Sequence, residues 1–154
     1  MQARSRRLTA TLGACAALVG LTACEQPTPA VTLYSSGTSI HDTAVSFCFP
    51  GQDLAKEPGT DGACRFDTAD RVPKVLGVQP GEEVLVDVDR DIADAGFLVL
   101  LNGTPVATGA AEHTARFQPD FNQGTILGVE VRKLADPQDP SRATGIWQFQ
   151  VVPD

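Results

Sequence analysis

Ser39-Ile40-His41-Asp42 places a hydroxyl, an imidazole and a carboxylate within four residues, the side-chain types that act as nucleophile, base and orienter in hydrolases. Their spacing argues against that chemistry. Adjacent side chains on an extended chain point to opposite faces, which separates His41 from Asp42. No Gly-x-Ser-x-Gly elbow is present to expose a serine. The quartet therefore reads as polar residues at a strand entry. A second cluster, Asp87, Asp89, Asp91 and Asp94, begins with the Asp-x-Asp-x-Asp of a calcium loop. Ile92 stands where that loop needs glycine, and Leu98 where it needs a bidentate glutamate. A solvated strand edge that discourages edge pairing is the expected reading. Copper chemistry lacks a thioether ligand beyond Met1. His113, Arg116 and Phe121 form a third group, around a loop ahead of a strand, and are the candidate ligand contacts because loops on a rigid frame often carry recognition.

The elements that would position these residues are short and alternating, which indicates β-structure. Val31 to Ser36 and Thr43 to Phe49 are the first two expected strands. In the second, Val45, Phe47 and Phe49 share one face, leaving Cys48 on the other, toward a loop that Cys64 can tie down. Lys74 to Val78 is followed by Gln79-Pro80-Gly81-Glu82, the composition of a type II turn. Val84, Val86 and Val88 then alternate with Glu83, Asp87 and Asp89. Asp91 to Gly96 is expected to form one helical turn capped by Asp91 and stopped by Gly96. Asn102-Gly103 is a hairpin signal between Phe97–Leu101 and the strand after it. Three further segments complete the set: His113–Phe117, Thr125–Leu134, and Gly145–Val152 with Trp147, Phe149 and Val151 on one face. About eight strands predict an all-β, antiparallel, immunoglobulin-like β-sandwich as a single domain over residues 31–154. The only Trp lies in the last strand, and the cysteines are too close in sequence for the usual bridge between sheets.

Ahead of that domain, Arg4, Arg6 and Arg7 precede a largely apolar run of 16 residues, Leu8 to Ala23. A spanning helix needs roughly 20 such residues, so residues 1–23 read as a signal peptide. Three of the 12 basic residues and none of the 19 acidic ones precede Cys24, which leaves 9 basic against 19 acidic beyond it, a balance of −10. Such a surface repels nucleic acid, and nucleic-acid partners are excluded. With Cys15 inside the signal and Cys24 at its boundary, Cys48 and Cys64 remain. In an oxidising compartment an isolated pair predicts a disulfide, here across a Gly-, Pro- and charge-rich loop. A redox or metal pair would favour Cys-x-x-Cys spacing.

Leu21-Thr22-Ala23-Cys24 resembles the lipobox of bacterial lipoproteins. The resemblance implies a diacylglycerol thioether on Cys24, cleavage after Ala23, and a Pro-containing tether over residues 24–30 that holds the domain on the outer face of the cell membrane. One acyl chain anchors a protein marginally, whereas two or more anchor it stably. Together with the Cys48 segment, the stretch from Asp89 to Gly103 and the terminal Ala143–Val152, it is similar to an actinobacterial lipoprotein family known only as domain of unknown function 2771. That family brings location and architecture, and no catalytic residues. The expectation is a non-catalytic binding or scaffolding module with no cofactor, whose partners are membrane lipid through Cys24 and an unidentified envelope protein or small ligand. The competing expectation is a cell-envelope hydrolase or metal-dependent module using His41 or the Asp87–Asp94 run.

Overall fold

The computed structural model describes residues 28–48, 54, 64–66 and 71–154. The expected signal peptide, Cys24 and the first part of the tether lie outside the described residues, as does Phe49.

Eleven strands and one short helix build a β-sandwich from the described residues. One sheet contains β1 (Ala30–Ser35), β2 (Thr38–Thr43), β6 (Val84–Val88) and β9 (Thr114–Phe117), in the order β2-β1-β6-β9. The other contains β3 (Ser46–Cys48), β4 (Cys64–Phe66), β5 (Lys74–Val78), β7 (Phe97–Leu101), β8 (Thr104–Gly109), β10 (Leu127–Asp136) and β11 (Asp139–Pro153). Its order is β4-β3-β11-β10-β7-β8, with β5 also on β11. All pairs are antiparallel except β5 with β11, which corrects the expectation of a purely antiparallel fold. The reason is length. β11 runs for 15 residues, so one of its edges holds β3 near Gly145 and β5 from Phe149 to Pro153. β5 lies against β1 and β2 as well, and β8 lies against β9, closing the sandwich on both sides.

Alternation places the core where the sequence indicated. Val84, Val86 and Val88 point inward from β6, and Trp147, Phe149 and Val151 from β11; all six are buried. They meet Val31 and Leu33 of β1 and Phe97, Val99 and Leu101 of β7. Burying such side chains contributes about 1.5–3 kcal/mol each before conformational entropy is charged. Gly109 permits one of these contacts. A Cβ there would lie 2.2 Å from the Phe97 ring, so β8 can pass over that ring only with glycine.

Turn chemistry behaves as read at two sites. Glu82 N–H donates to the Gln79 carbonyl at 3.0 Å with Gly81 at φ +92°, as a type II turn requires. Asn102 and Gly103 both have positive φ and join β7 to β8. The Asn102 carboxamide oxygen also accepts from Gly128 N–H at 2.8 Å, tying the hairpin to β10. A third turn went unread. Ser36 and Gly37 likewise have positive φ, so residues 38–43 form a full strand, β2, and not a strand entry.

The helix α1 (Arg90–Ala95) corrects the capping assignment. Asp89 occupies the cap position, and neither Asp89 nor Asp91 caps it with a side chain. The Asp89 carboxylate instead accepts from Ala30 N–H at 2.7 Å, and that of Asp91 pairs with Lys133 at 2.9 Å. Gly96 ends the helix at φ +82°, as expected.

Candidate functional site

The register β2-β1-β6-β9 lines up His41, Thr32, Asp87 and Thr114 in one row, and Ser39, Tyr34, Leu85 and Arg116 in the next. These rows form the outward face of the smaller sheet. Asp42 points the other way, is nearly buried, and pairs with Arg71, with Lys74 at 3.8 Å. His41 and Asp42 are therefore on opposite faces, as pleating demands. Asp42 is engaged by cations from the segment leading into β5, not by an imidazole. Its pairing pins β5 to the edge of the other sheet, a structural task; Lys74 Nζ reinforces it by donating to the His41 carbonyl at 2.6 Å.

The aspartate run is dispersed in the same way. Asp87 lies on the outward face of β6, Asp89 holds Ala30 N–H, Asp91 holds Lys133, and Asp94 faces exposed Arg90 at 3.6 Å. Among the described residues no group of three or more histidine, cysteine or acidic side chains converges as a metal site. We expect thermal melts in millimolar calcium and in chelator to agree within about 2 °C, which is less than roughly 1 kcal/mol for a domain of this size. A saturable rise of several degrees, lost in Asp89→Asn, would reveal a calcium site.

Cys48 and Cys64 form a disulfide. They sit directly opposite each other on β3 and β4, so the bridge lies within one sheet and not between the two. Cys48 is buried and its neighbour Phe47 belongs to the central core, as expected, but Ala44 and not Val45 joins Phe47 there, because the strand begins only at Ser46 and the alternation does not extend back through Val45.

The three candidate ligand contacts do not converge on one site. His113 sits at the start of β9, where its Nδ1 lies 3.3 Å from the Val88 carbonyl and its own carbonyl accepts from Val88 N–H at 2.9 Å. Arg116 is two-thirds exposed on β9, the end strand of the outward face, 3.9 Å from Glu83. It lines a shallow hollow of about 260 Å³ with half-exposed Tyr34, Leu85 and the Ser36-Gly37 turn. Phe121 lines a second hollow of about 420 Å³ with Pro80, Gly81, Gln118, Pro119 and Asn122. Gln118 lies just beyond β9, and its amide donates to the Gly81 carbonyl at 2.9 Å, bracing the wall of this second hollow. Sequence reasoning missed Tyr34, which reaches Arg116 only through the β1-β6-β9 register. The Ser36-Gly37 dipeptide was the signal that could have placed it.

Two polar hydrogen bonds tie Pro29 and Ala30 to the sandwich. Trp147 Nε1–H donates to the Pro29 carbonyl at 3.0 Å from a fully buried position, and Asp89 receives Ala30 N–H. No helix among the described residues is long and apolar enough to cross a membrane. Compared with known proteins, the chain matches no family model, no curated protein and no solved structure.

Proposed function

We propose that this chain is a lipid-anchored, extracytoplasmic lipoprotein whose β-sandwich is a non-catalytic binding or scaffolding module of the cell envelope. The observation that carries the reading is how soon after Cys24 the chain is tied to the sandwich. Pro29 and Ala30 are bonded to Trp147 and Asp89, only five and six residues beyond the cysteine of Leu21-Thr22-Ala23-Cys24. A leader, an acylated cysteine, a brief tether and a domain then follow without overlap. The disulfide supports the same compartment, because such bridges persist where conditions are oxidising. The motifs shared with the actinobacterial lipoproteins of domain of unknown function 2771 favour membership of that group.

Within this reading the two hollows, one at Arg116 and Tyr34 and one at Phe121, are the contact surface for an envelope protein or small ligand. They combine one exposed guanidinium with aromatic rings, a pairing suited to recognition by charge and stacking. His113 lines neither hollow and lies beside the Val88 carbonyl. Cell fractionation tests the anchor. Cys24→Ala should leave the chain uncleaved, and so longer by its leader, or released into the medium. A variant processed to the wild-type length and still membrane-bound would overturn the reading.

A further inference from the structure

The two hydrogen bonds at Pro29 and Ala30 fix the end of the domain at which these residues lie. Ala30 pairs across β2 with Thr43 and lies beside Asp89, at the end of the sandwich that carries α1, residues 110–113 and the tip of the β10–β11 hairpin. Backbone bonds knit this end together: Ala111 N–H to the Ala93 carbonyl at 3.1 Å, and Leu134 N–H to the Gly96 carbonyl at 2.9 Å. The three positive-φ turns at Gly37, Gly81 and Gly103, with the loop holding Phe121, occupy the opposite end. β10 spans the distance between them, and its ten residues at ~3.4 Å each amount to roughly 30 Å.

We infer that the domain stands on the bilayer through the end that carries α1 and the Pro137-Gln138 hairpin tip, with lipid as the surface this tip meets. The inference rests on the lipid-anchored reading. Five residue steps separate Cys24 from Pro29, and a fully extended chain covers at most ~3.6 Å per residue. An acylated Cys24 therefore lies no more than about 18 Å from the Pro29 carbonyl, less than the roughly 20 Å over which the six residues of β1 run from there to the far end, so the far end does not turn to the membrane. The surface at this end suits a lipid boundary. Beside the tip an apolar cavity of about 350 Å³ is lined by Phe97, Leu98, Leu134, Pro137 and Pro140, and small exposed Ala110 and Ala111 lie near it. Asp94, Glu112 and Asp136 are exposed at the same end, so the favoured surface is zwitterionic and not anionic. One consequence follows for the contact surface above: Phe121 and the turns beside it face away from the membrane, where a partner can reach them.

The test uses full-length protein extracted from membranes, with its mass at Cys24 measured first, then placed in phosphatidylcholine vesicles containing a nitroxide-labelled lipid. A fluorophore is attached to Gln138→Cys in one sample and to Thr125→Cys in another, two exposed positions at opposite ends of β10. Quenching several-fold stronger at 138 than at 125 is expected. Asp89→Ala, which frees Ala30 N–H, should narrow that difference while the domain stays folded by thermal melt. Equal quenching, as in a domain lying on its side, or stronger quenching at 125 would overturn the orientation. Protein without lipid at Cys24 would instead overturn the anchored reading itself.

Discussion

Trp147→Ala is expected to destabilise the domain by about 3–5 kcal/mol, the cost of truncating a fully buried tryptophan. Trp147 is fully buried between the sheets, and Gly145 lies so close beneath it that a Cβ there would stand 2.7 Å from the indole. The surroundings are built to this ring and have little freedom to collapse into the space it would leave. A second cost falls on the buried Pro29 carbonyl, which loses the Trp147 donor and adds about 1–3 kcal/mol. Against a total stability of roughly 5–15 kcal/mol, the variant should sit near the edge of folding at 37 °C. Urea titration of wild type and variant measures it. Trp147→Phe separates the two contributions, since it keeps much of the apolar volume and removes the N–H. A Trp147→Ala midpoint equal to wild type would mean that the ring is not the centre of this core.

Removing the disulfide should cost about 3 kcal/mol, the chain-entropy value for closing a loop of this length, here a separation of 16 residues. β3 and β4 have only three residues each, and β4 is the outermost strand of its sheet. So short an edge strand has few ladder bonds of its own, and the bridge at Cys48 and Cys64 supplies what they lack. Cys48→Ser with Cys64→Ser, which avoids a stray thiol, should unfold at a clearly lower denaturant concentration, with a slope no smaller than that of wild type because the unlinked unfolded chain exposes at least as much surface. Quantitative thiol labelling of both cysteines in native, unreduced wild-type protein would contradict the bridge.

The parts of the fold legible in the sequence are those where one physical rule acts alone. Val84, Val86 and Val88 alternate on a half-buried strand, and Pro80-Gly81 and Asn102-Gly103 supply backbone angles that other residues disfavour. β2 was harder to see because Thr38-Ser-Ile-His-Asp-Thr43 is an edge strand, with only Ile40 packed on the core and Asp42 buried as an ion pair. Hydrophobic alternation cannot mark such a strand; only the Ser36-Gly37 turn can. The parallel pairing of β5 depends on how far β11 extends beyond β3, a non-local fact. The same applies to capping. Asp91 carries the right residue type, but Lys133, 42 positions away, claims its carboxylate. Among the candidate site residues, the disulfide was legible because compartment and pairing leave one partner for each cysteine. The separation of His113 from Arg116 and Phe121 was not, since three strand residues carry a side chain about 10 Å along a sheet.

The most direct measurement is intact-mass analysis of the wild-type protein extracted from membranes. The account predicts a polypeptide that begins at Cys24 and is heavier than its sequence by a diacylglycerol, with or without a further acyl chain on the new amino terminus. A membrane-derived protein beginning at Cys24 with an unmodified thiol, or one that retains residues 1–23, would contradict it.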